Sequence, residues 1–367
     1  MRKAKVNILV DGRDIAGTVL PILHDLTVSL KSGGETDKAE LTLDDTDGQI
    51  AMPRDGAVMT IKIDAVEVFR GKVTEIESNG ERSGGRTLSV SADGVNSKGK
   101  AKQPQQRHWD NKTLKDILTE AGKDAGISNV KVDNELAGIT IEYEAQNGES
   151  FMALGQRLAE QVGGTFSISD DRAAMVKRGS GKSASGKSIT PVSASWGDNL
   201  ISWRIAPVTG RPRFKKVRQR YYDAKKAKWV TEAVDVKDDG AEAEHTARFP
   251  ASDAADAKRK AGSDKTKAER EKGGGTIIID GNARAFPEAK VTLVGARPGV
   301  DGEYTVDSVT HKVGRDGGFA TTSLEVKQPA GAAGKDSRKS AAGNKSTGSS
   351  TAKAQGAAIG ADQFATP

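Results

Sequence analysis

The chain has 367 residues, with 56 Lys and Arg against 50 Asp and Glu, a formal net charge of +6, and only 35% hydrophobic and 4% aromatic residues. It has no cysteine, which excludes disulfides, thiolate metal sites and a cysteine nucleophile; no apolar run reaches the ~18 residues of a membrane-spanning helix. The length suits roughly two or three modest cores joined by polar loops, and MRKAKVNILVDGRD is too poor in apolar residues for a signal-peptide core, so a protein made and kept in a cytoplasm is expected unless a dedicated machine exports it.

Residues 1–100 read as an N-terminal β-barrel domain. Val6, Ile8 and Val10 alternate up to the Asp11-Gly12 turn, Leu26, Val28 and Leu30 share a face, and Leu41 and Leu43 resume after a Gly-Gly turn. Val58 to Ile63, Val66 to Ile76 and Leu88 to Val90 continue the pattern, with Gly, Asn and Asp between the runs. Short alternating strands broken in this way predict an antiparallel sandwich or barrel.

Residues 101–178 read as a small α+β module. The period changes at His108: in HWDNKTLKDILTEAGKDAG, Leu114, Ile117, Leu118 and Ala121 fall on one helical face, with Asp110 or Thr113 as the N-cap. A second helix lies in NGESFMALGQRLAEQVGG, capped by Ser150, lined by Phe151, Leu154, Leu158 and Val162, and stopped by Gly163-Gly164. The strands ITIEYE and TFSISDDRAAMV flank it.

Residues 179–190 are Gly, Ser and Lys rich and contain a formal match to the Walker A pattern: Gly181, Gly186, Lys187 and Ser188. A phosphate-cradling loop needs a buried strand before it and a helix N-terminus after it. Here AAMVKRGS leads in, and ITPVSASWGDN, with Pro191 and Gly197, leads out without a helical pattern. The match therefore reads as a P-loop decoy in a mobile linker, with no cofactor. Residues 191–330 read as a second β-barrel domain, interrupted by an Ala, Lys and Glu rich helix at about 252–272 that is expected to lie against a sheet. Residues 331–367 are too poor in apolar side chains to offset chain entropy and read as a disordered tail.

Other chemistry is thin. His24, His108, His245 and His311 are scattered, with no metal-ligand spacing and no nucleophile elbow; no catalytic and no metal residues are assigned, and the chain reads as a non-enzyme. Trp203-Arg204 and Tyr221-Tyr222 mix aromatic and basic residues, as nucleic-acid surfaces do and as amphipathic strands with snorkelling cations do more often. One internal echo stands out. FRGKVTEIESNGERSGGRTLSVSADG (69–94) and GEYTVDSVTHKVGRDGGFATTSLEVKQ (302–328) share an apolar pair, Val73 and Ile76 against Val306 and Val309, then a Gly-rich turn and a Ser/Thr-rich strand.

This order of parts resembles the phage late control D family, the tail hub proteins of contractile-tailed phages, and is similar to the hub portion of type VI secretion spike proteins. The resemblance is carried by Gln146, Glu149-Ser150, Leu158-Ala159 and Gly163 in the module, and by the closing pattern Gly281, Gly295, Gly302-x-Tyr304-x-Val306, Val309-x-His311 and Thr-Thr-Ser-Leu. The opening DGRDIAGTVLPILHDLTVSL fits more generically, and the Gly/Lys linker and the tail depart from the family pattern. The resemblance implies a homotrimeric structural hub of a virion tail baseplate, made in the bacterial host cytoplasm, with two β-barrels per chain adapting a sixfold tail tube to a threefold spike. Its implied partners are the tail tube protein, a separate central spike protein, other baseplate proteins, and phage DNA in a channel of mixed or acidic lining. The alternative reading is a peptidoglycan-binding module, because the α+β unit looks somewhat like LysM modules; a nucleic-acid-binding regulator is a third, prompted by the net charge.

Overall fold

A computed structural model of the chain describes residues 4–33, 36–82, 84–95, 99–183, 186–207, 209–210, 214–236, 241–315 and 320–328; the tail expected at 331–367 lies outside them. The fold is mainly β with an α+β insertion. The first β region holds β1 (Val6–Val10), β2 (Arg13–Asp14), the short helix α1 (Ala16–Val19), β3 (Leu23–Lys31), β4 (Lys38–Asp44), β5 (Val58–Ile63), β6 (Val66–Glu81) and β7 (Gly85–Asp93). Alternation sets the faces: Leu26, Val28 and Leu30 of β3 are buried, while the residues between them stay half-exposed.

The insertion follows as β8 (Gln105–Thr113), α2 (Leu114–Asp124), β9 (Asn129–Val132), α3 (Asn134–Ala137), β10 (Thr140–Glu149), α4 (Phe151–Val162), β11 (Gly164–Ser169) and β12 (Arg172–Lys177). Of the two N-caps the sequence offers, Asp110 and Thr113, the structure uses Thr113, and β8 occupies the residues before it. Residues 105–113 pair with β10, and the helix starts at Leu114, where the Thr113 side chain accepts from the Asp116 N–H. Ser150 caps α4 by accepting from Ala153, and Gly163 ends it at φ 71°. The module has its own core, in which Leu114, Ile117 and Leu118 of α2 meet Phe151, Leu154 and Leu158 of α4.

The last region holds β13 (Val192–Ser195), β14 (Leu200–Ala206), β15 (Lys216–Asp223), β16 (Lys228–Asp235), β17 (Glu244–Thr246), α5 (Ala254–Arg270), β18 (Gly274–Asp280), β19 (Lys290–Val294), β20 (Gly302–Gly314) and β21 (Thr321–Lys327). β15, β16 and β17 form a separate small sheet on which α5 packs, with Ala257 and Ala261 buried against it. The remaining strands join the first β region. β20 pairs with β3 from Ser308↔Lys31 to Gly314↔Asp25, so a 13-stranded sheet runs β14-β18-β21-β20-β3-β4-β7-β6-β5-β1-β2, with β13 and β19 branching from it. The inner faces of both regions therefore merge into one apolar core.

The echo in the sequence is one part of a larger repeat. β3-β4-β7-β6-β5 and β14-β18-β21-β20-β19 have the same neighbour order. Their registers match pair for pair: Lys38↔Asp93 to Asp44↔Thr87 in the first unit, Gly274↔Lys327 to Asp280↔Thr321 in the second. The irregularities match too. A bulge lies between Leu23 and Asp25 and again between Leu200 and Ser202, and another between Val73 and Glu75 and again between Val306 and Ser308. Such bulges bend and twist a sheet locally, so equal placement gives both units the same curvature.

Candidate functional site

Gly181, Gly186, Lys187 and Ser188 lie in a segment that folds back on itself. Lys182 and Ser188 form an antiparallel bridge, the Ser183 N–H donates to the Lys187 carbonyl at 2.8 Å, and the Ile189 N–H donates to the Gly181 carbonyl at 2.8 Å. Gly181 and Gly186 take φ of 66° and 79°, values that glycine adopts without a Cβ clash. The Ser183 and Gly186 amides are spent inside this turn, and the chain proceeds to β13 rather than to a helix. The segment that the sequence suggests as a mobile linker is also anchored: the Gly179 N–H donates to Glu288 Oε2 at 2.6 Å, and Ile189 packs on the β core.

Glu288 is the centre of a charged junction that the sequence does not announce. It sits just before β19 at φ 66°, although it is not glycine. Its counterpart in the first unit is Gly56, at φ 75°; both positions make the same bonds, Gly56 N–H to the Val73 carbonyl and Glu288 N–H to the Val306 carbonyl. A non-glycine residue in this region is strained and persists where its surroundings over-determine it. Here Thr165 Oγ1 of β11 donates to Glu288 Oε1 at 3.1 Å, and Arg270 at the end of α5 reaches Glu288 and Asp307, each at 3.6 Å. Asp307 is the bulged residue of β20 and is held by Lys327 at 2.8 Å. Arg178 is pushed below its ordinary value, first by burial and then by the neighbouring Arg270.

A cavity of about 320 Å³ opens here, and Lys31, Arg178, Lys267, Arg270 and Lys327 face Glu160, Glu271, Glu288, Asp307 and Glu325 around it. The charges are matched, so the junction clamps α5, the α+β module and the second β unit together and leaves no net field for an anion. Among the described residues no group of His, Asp and Glu is placed to hold a metal ion. His24, His108, His245 and His311 lie in β3, β8, β17 and β20. The aromatic–basic pairs also separate. Tyr221 is buried beneath α5, while Tyr222 and Trp229 are exposed and meet edge to face at 5.5 Å, with Arg220 over Trp229. Trp203 lies on β14, half-buried on the core side, against Trp196 at 5.1 Å.

What the architecture of the described residues offers is a duplicated β unit with a clamped insertion. Comparison with known proteins decides which family builds this. The model of the phage tail baseplate hub (GPD) family matches residues 24–317. The chain belongs to the phage tail baseplate hub family. This is a family of structural hubs and not of enzymes. A probable baseplate hub protein of Escherichia phage P2 is 31% identical over 200 residues, covering 52% of this chain and 50% of the relative. One of Escherichia phage 186 is 25% identical over 226 residues, covering 60% and 54%. The chain thus spans about half the length of the curated relatives it matches.

Solved structures share the fold of this hub-family chain. The 43 kDa tail protein of prophage MuSo2 from Shewanella oneidensis has a TM-score of 0.68 at 17% identity, covering 88% of this chain and 98% of its own. A tail protein from Neisseria meningitidis has a TM-score of 0.68 at 16% identity, covering 89% and 97%. A type VI secretion component from E. coli follows at 0.56 and 12% identity, covering 88% and 76%. The likeness to phage hubs and secretion spikes expected from the module and the closing strands is therefore present at the level of the fold.

Proposed function

We propose that this chain is the structural hub of a phage-type tail baseplate, a homotrimer that joins a sixfold tail tube to a threefold central spike and surrounds the path of the DNA. The observation that carries this reading is the repeat. Three copies of a chain with two like-built β units supply six near-equivalent units around one axis, which is what a joint between sixfold and threefold rings requires. Family membership supports the same role. The partners on this reading are the tube protein, a separate spike protein and other baseplate components, and the protein resides in the virion after synthesis in the host cytoplasm.

Light scattering across concentration tests the oligomer. The expected mass is that of three 38.6 kDa chains, and the trimer is then expected to co-purify with tube or spike protein expressed beside it. A monomer at every concentration that captures neither partner overturns the reading.

A further inference from the structure

The small sheet β16-β15-β17 turns one face to α5 and leaves the other open. Along β15, Val217, Gln219 and Tyr221 are buried, and Arg218, Arg220 and Tyr222 alternate with them on the exposed face. The register Tyr222↔Trp229 brings Trp229 of β16 to that same face, beside the turn that joins the two strands. Tyr222 is 48% and Trp229 58% exposed, and every residue of the turn from Ala224 to Lys228 is exposed.

A third aromatic ring joins them from the far side of β15. The Ala247 N–H donates to the Arg218 carbonyl at 3.0 Å, and the Ala251 N–H to the Arg220 carbonyl at 2.8 Å. More chain lies between the two alanines than between the two carbonyls, so it bows away from β15, and Phe249 on that bow is 72% exposed. Cross-strand packing accounts for the Tyr222–Trp229 contact. It does not account for Phe249, which has the exposed Arg248 over its ring. The turn is cationic: Lys225, Lys226 and Lys228 stand against Asp223 alone. Lys226 pairs with Asp223 at 3.2 Å, and Lys225 and Lys228 have no carboxylate partner among the described residues.

We propose that this surface docks on an anionic phospholipid bilayer, with the three lysines of the turn on headgroup phosphates and Tyr222, Trp229 and Phe249 seated among the headgroups. Charge complementarity selects the partner, because an anionic leaflet attracts each nearby lysine. The rings fit it too: tyrosine and tryptophan have an apolar body and a polar tip, and settle at the membrane–water interface. Shape agrees. Cations and rings sit on a turn and a bow, both convex, which suit a broad surface. A single strand of nucleic acid needs ring faces open for base stacking along a groove, whereas Arg220 and Arg248 cover one face of Trp229 and of Phe249. The contact is peripheral, since no helix among the described residues is long and apolar enough to cross a membrane. Each copy carries the whole surface, so docking does not depend on the hub reading above.

Cosedimentation of the full chain with vesicles tests this. The protein is expected to pellet with mixed phosphatidylglycerol–phosphatidylcholine vesicles and not with phosphatidylcholine alone. Lys225→Glu, Lys226→Glu and Lys228→Glu together are expected to weaken that binding by at least about a hundredfold, at roughly fivefold for each lysine. Brominated lipid, which quenches tryptophan on contact, reads the docked face. Quenching is expected in the parent and lost in Trp229→Phe, which keeps a ring and still pellets, although the exposed Trp196 remains. Failure to pellet with anionic vesicles, undiminished pelleting of the triple variant, or quenching that survives Trp229→Phe overturns the proposal. Retention on single-stranded DNA that the triple variant loses, without vesicle binding, assigns the surface to nucleic acid and overturns it as well.

Discussion

At the residue scale, two titratable side chains, one buried and one half-buried, pull stability in opposite directions with pH. His311 is 2% exposed, shares a 3.1 Å contact with Thr322 Oγ1, and is pushed down by burial to about 4. A histidine kept neutral in the fold weakens it as pH falls from the unfolded value near ~6.5 towards the folded one. Asp37 accepts from the Lys31 N–H, yet burial pushes it up to about 6. Its charged form costs stability above that value, and the cost is relieved as pH falls towards the unfolded value near ~3.9. Each effect is about 2 kcal/mol between pH 8 and 4.5, so they nearly cancel. Asp37→Asn is expected to be more stable than the parent at pH 8 and to lose about 2 kcal/mol by pH 4.5, where the parent changes little. Urea titrations at the two pH values measure this; an equal loss of stability between pH 8 and 4.5 in both proteins refutes it. The sequence places His311 on a strand and Glu288 in an ordinary FPEAK loop. Neither environment is legible there, because the Thr165 partner of Glu288 lies 123 residues away.

At the scale of elements, local signals carry far. Ser150, Gly163 and the Phe151–Leu154–Leu158–Val162 face specify α4 because cap and stripe are contained in one short segment. β8 misleads because Trp109 and the charged residues around it pair with β10, a partner that follows α2 and α3 in the chain. Gly155 is the detail that local reading passes over. A Cβ there would lie 2.3 Å from the Phe166 ring, which meets Phe151 edge to face at 5.5 Å. Helix propensity alone favours Gly155→Ala by about 1 kcal/mol. Overpacking against two interlocked rings costs more, typically about 1–3 kcal/mol, so the substitution is expected to destabilise the module. A lowered denaturant midpoint with an unchanged slope is the expected result, and a raised midpoint excludes the tight contact.

At the scale of the whole molecule, the sequence shows the repeat only at its last hairpin. The matching first strands, β3 and β14, are hidden because β15, β16, β17 and α5 intervene between β14 and β18, whereas β4 follows β3 after a short turn. What joins the units is also long-range. Leu26 faces Leu41 within its own unit and Val313 across the join, and it is fully buried. If the core is continuous, damage at this seam is felt in both units. Leu26→Ala removes several methylene groups from a site hemmed in on both sides, at a cost of about 2–5 kcal/mol. Hydrogen exchange then provides the reading. Amides of β6–β7 and of β20–β21 are expected to lose protection by similar amounts in Leu26→Ala. Those of α2 and α4 are expected to change less, because the insertion keeps a separate core. Loss confined to β6–β7 means that the units unfold separately and that β3–β20 is a contact between two domains. Loss in both makes the pair of units one cooperative body.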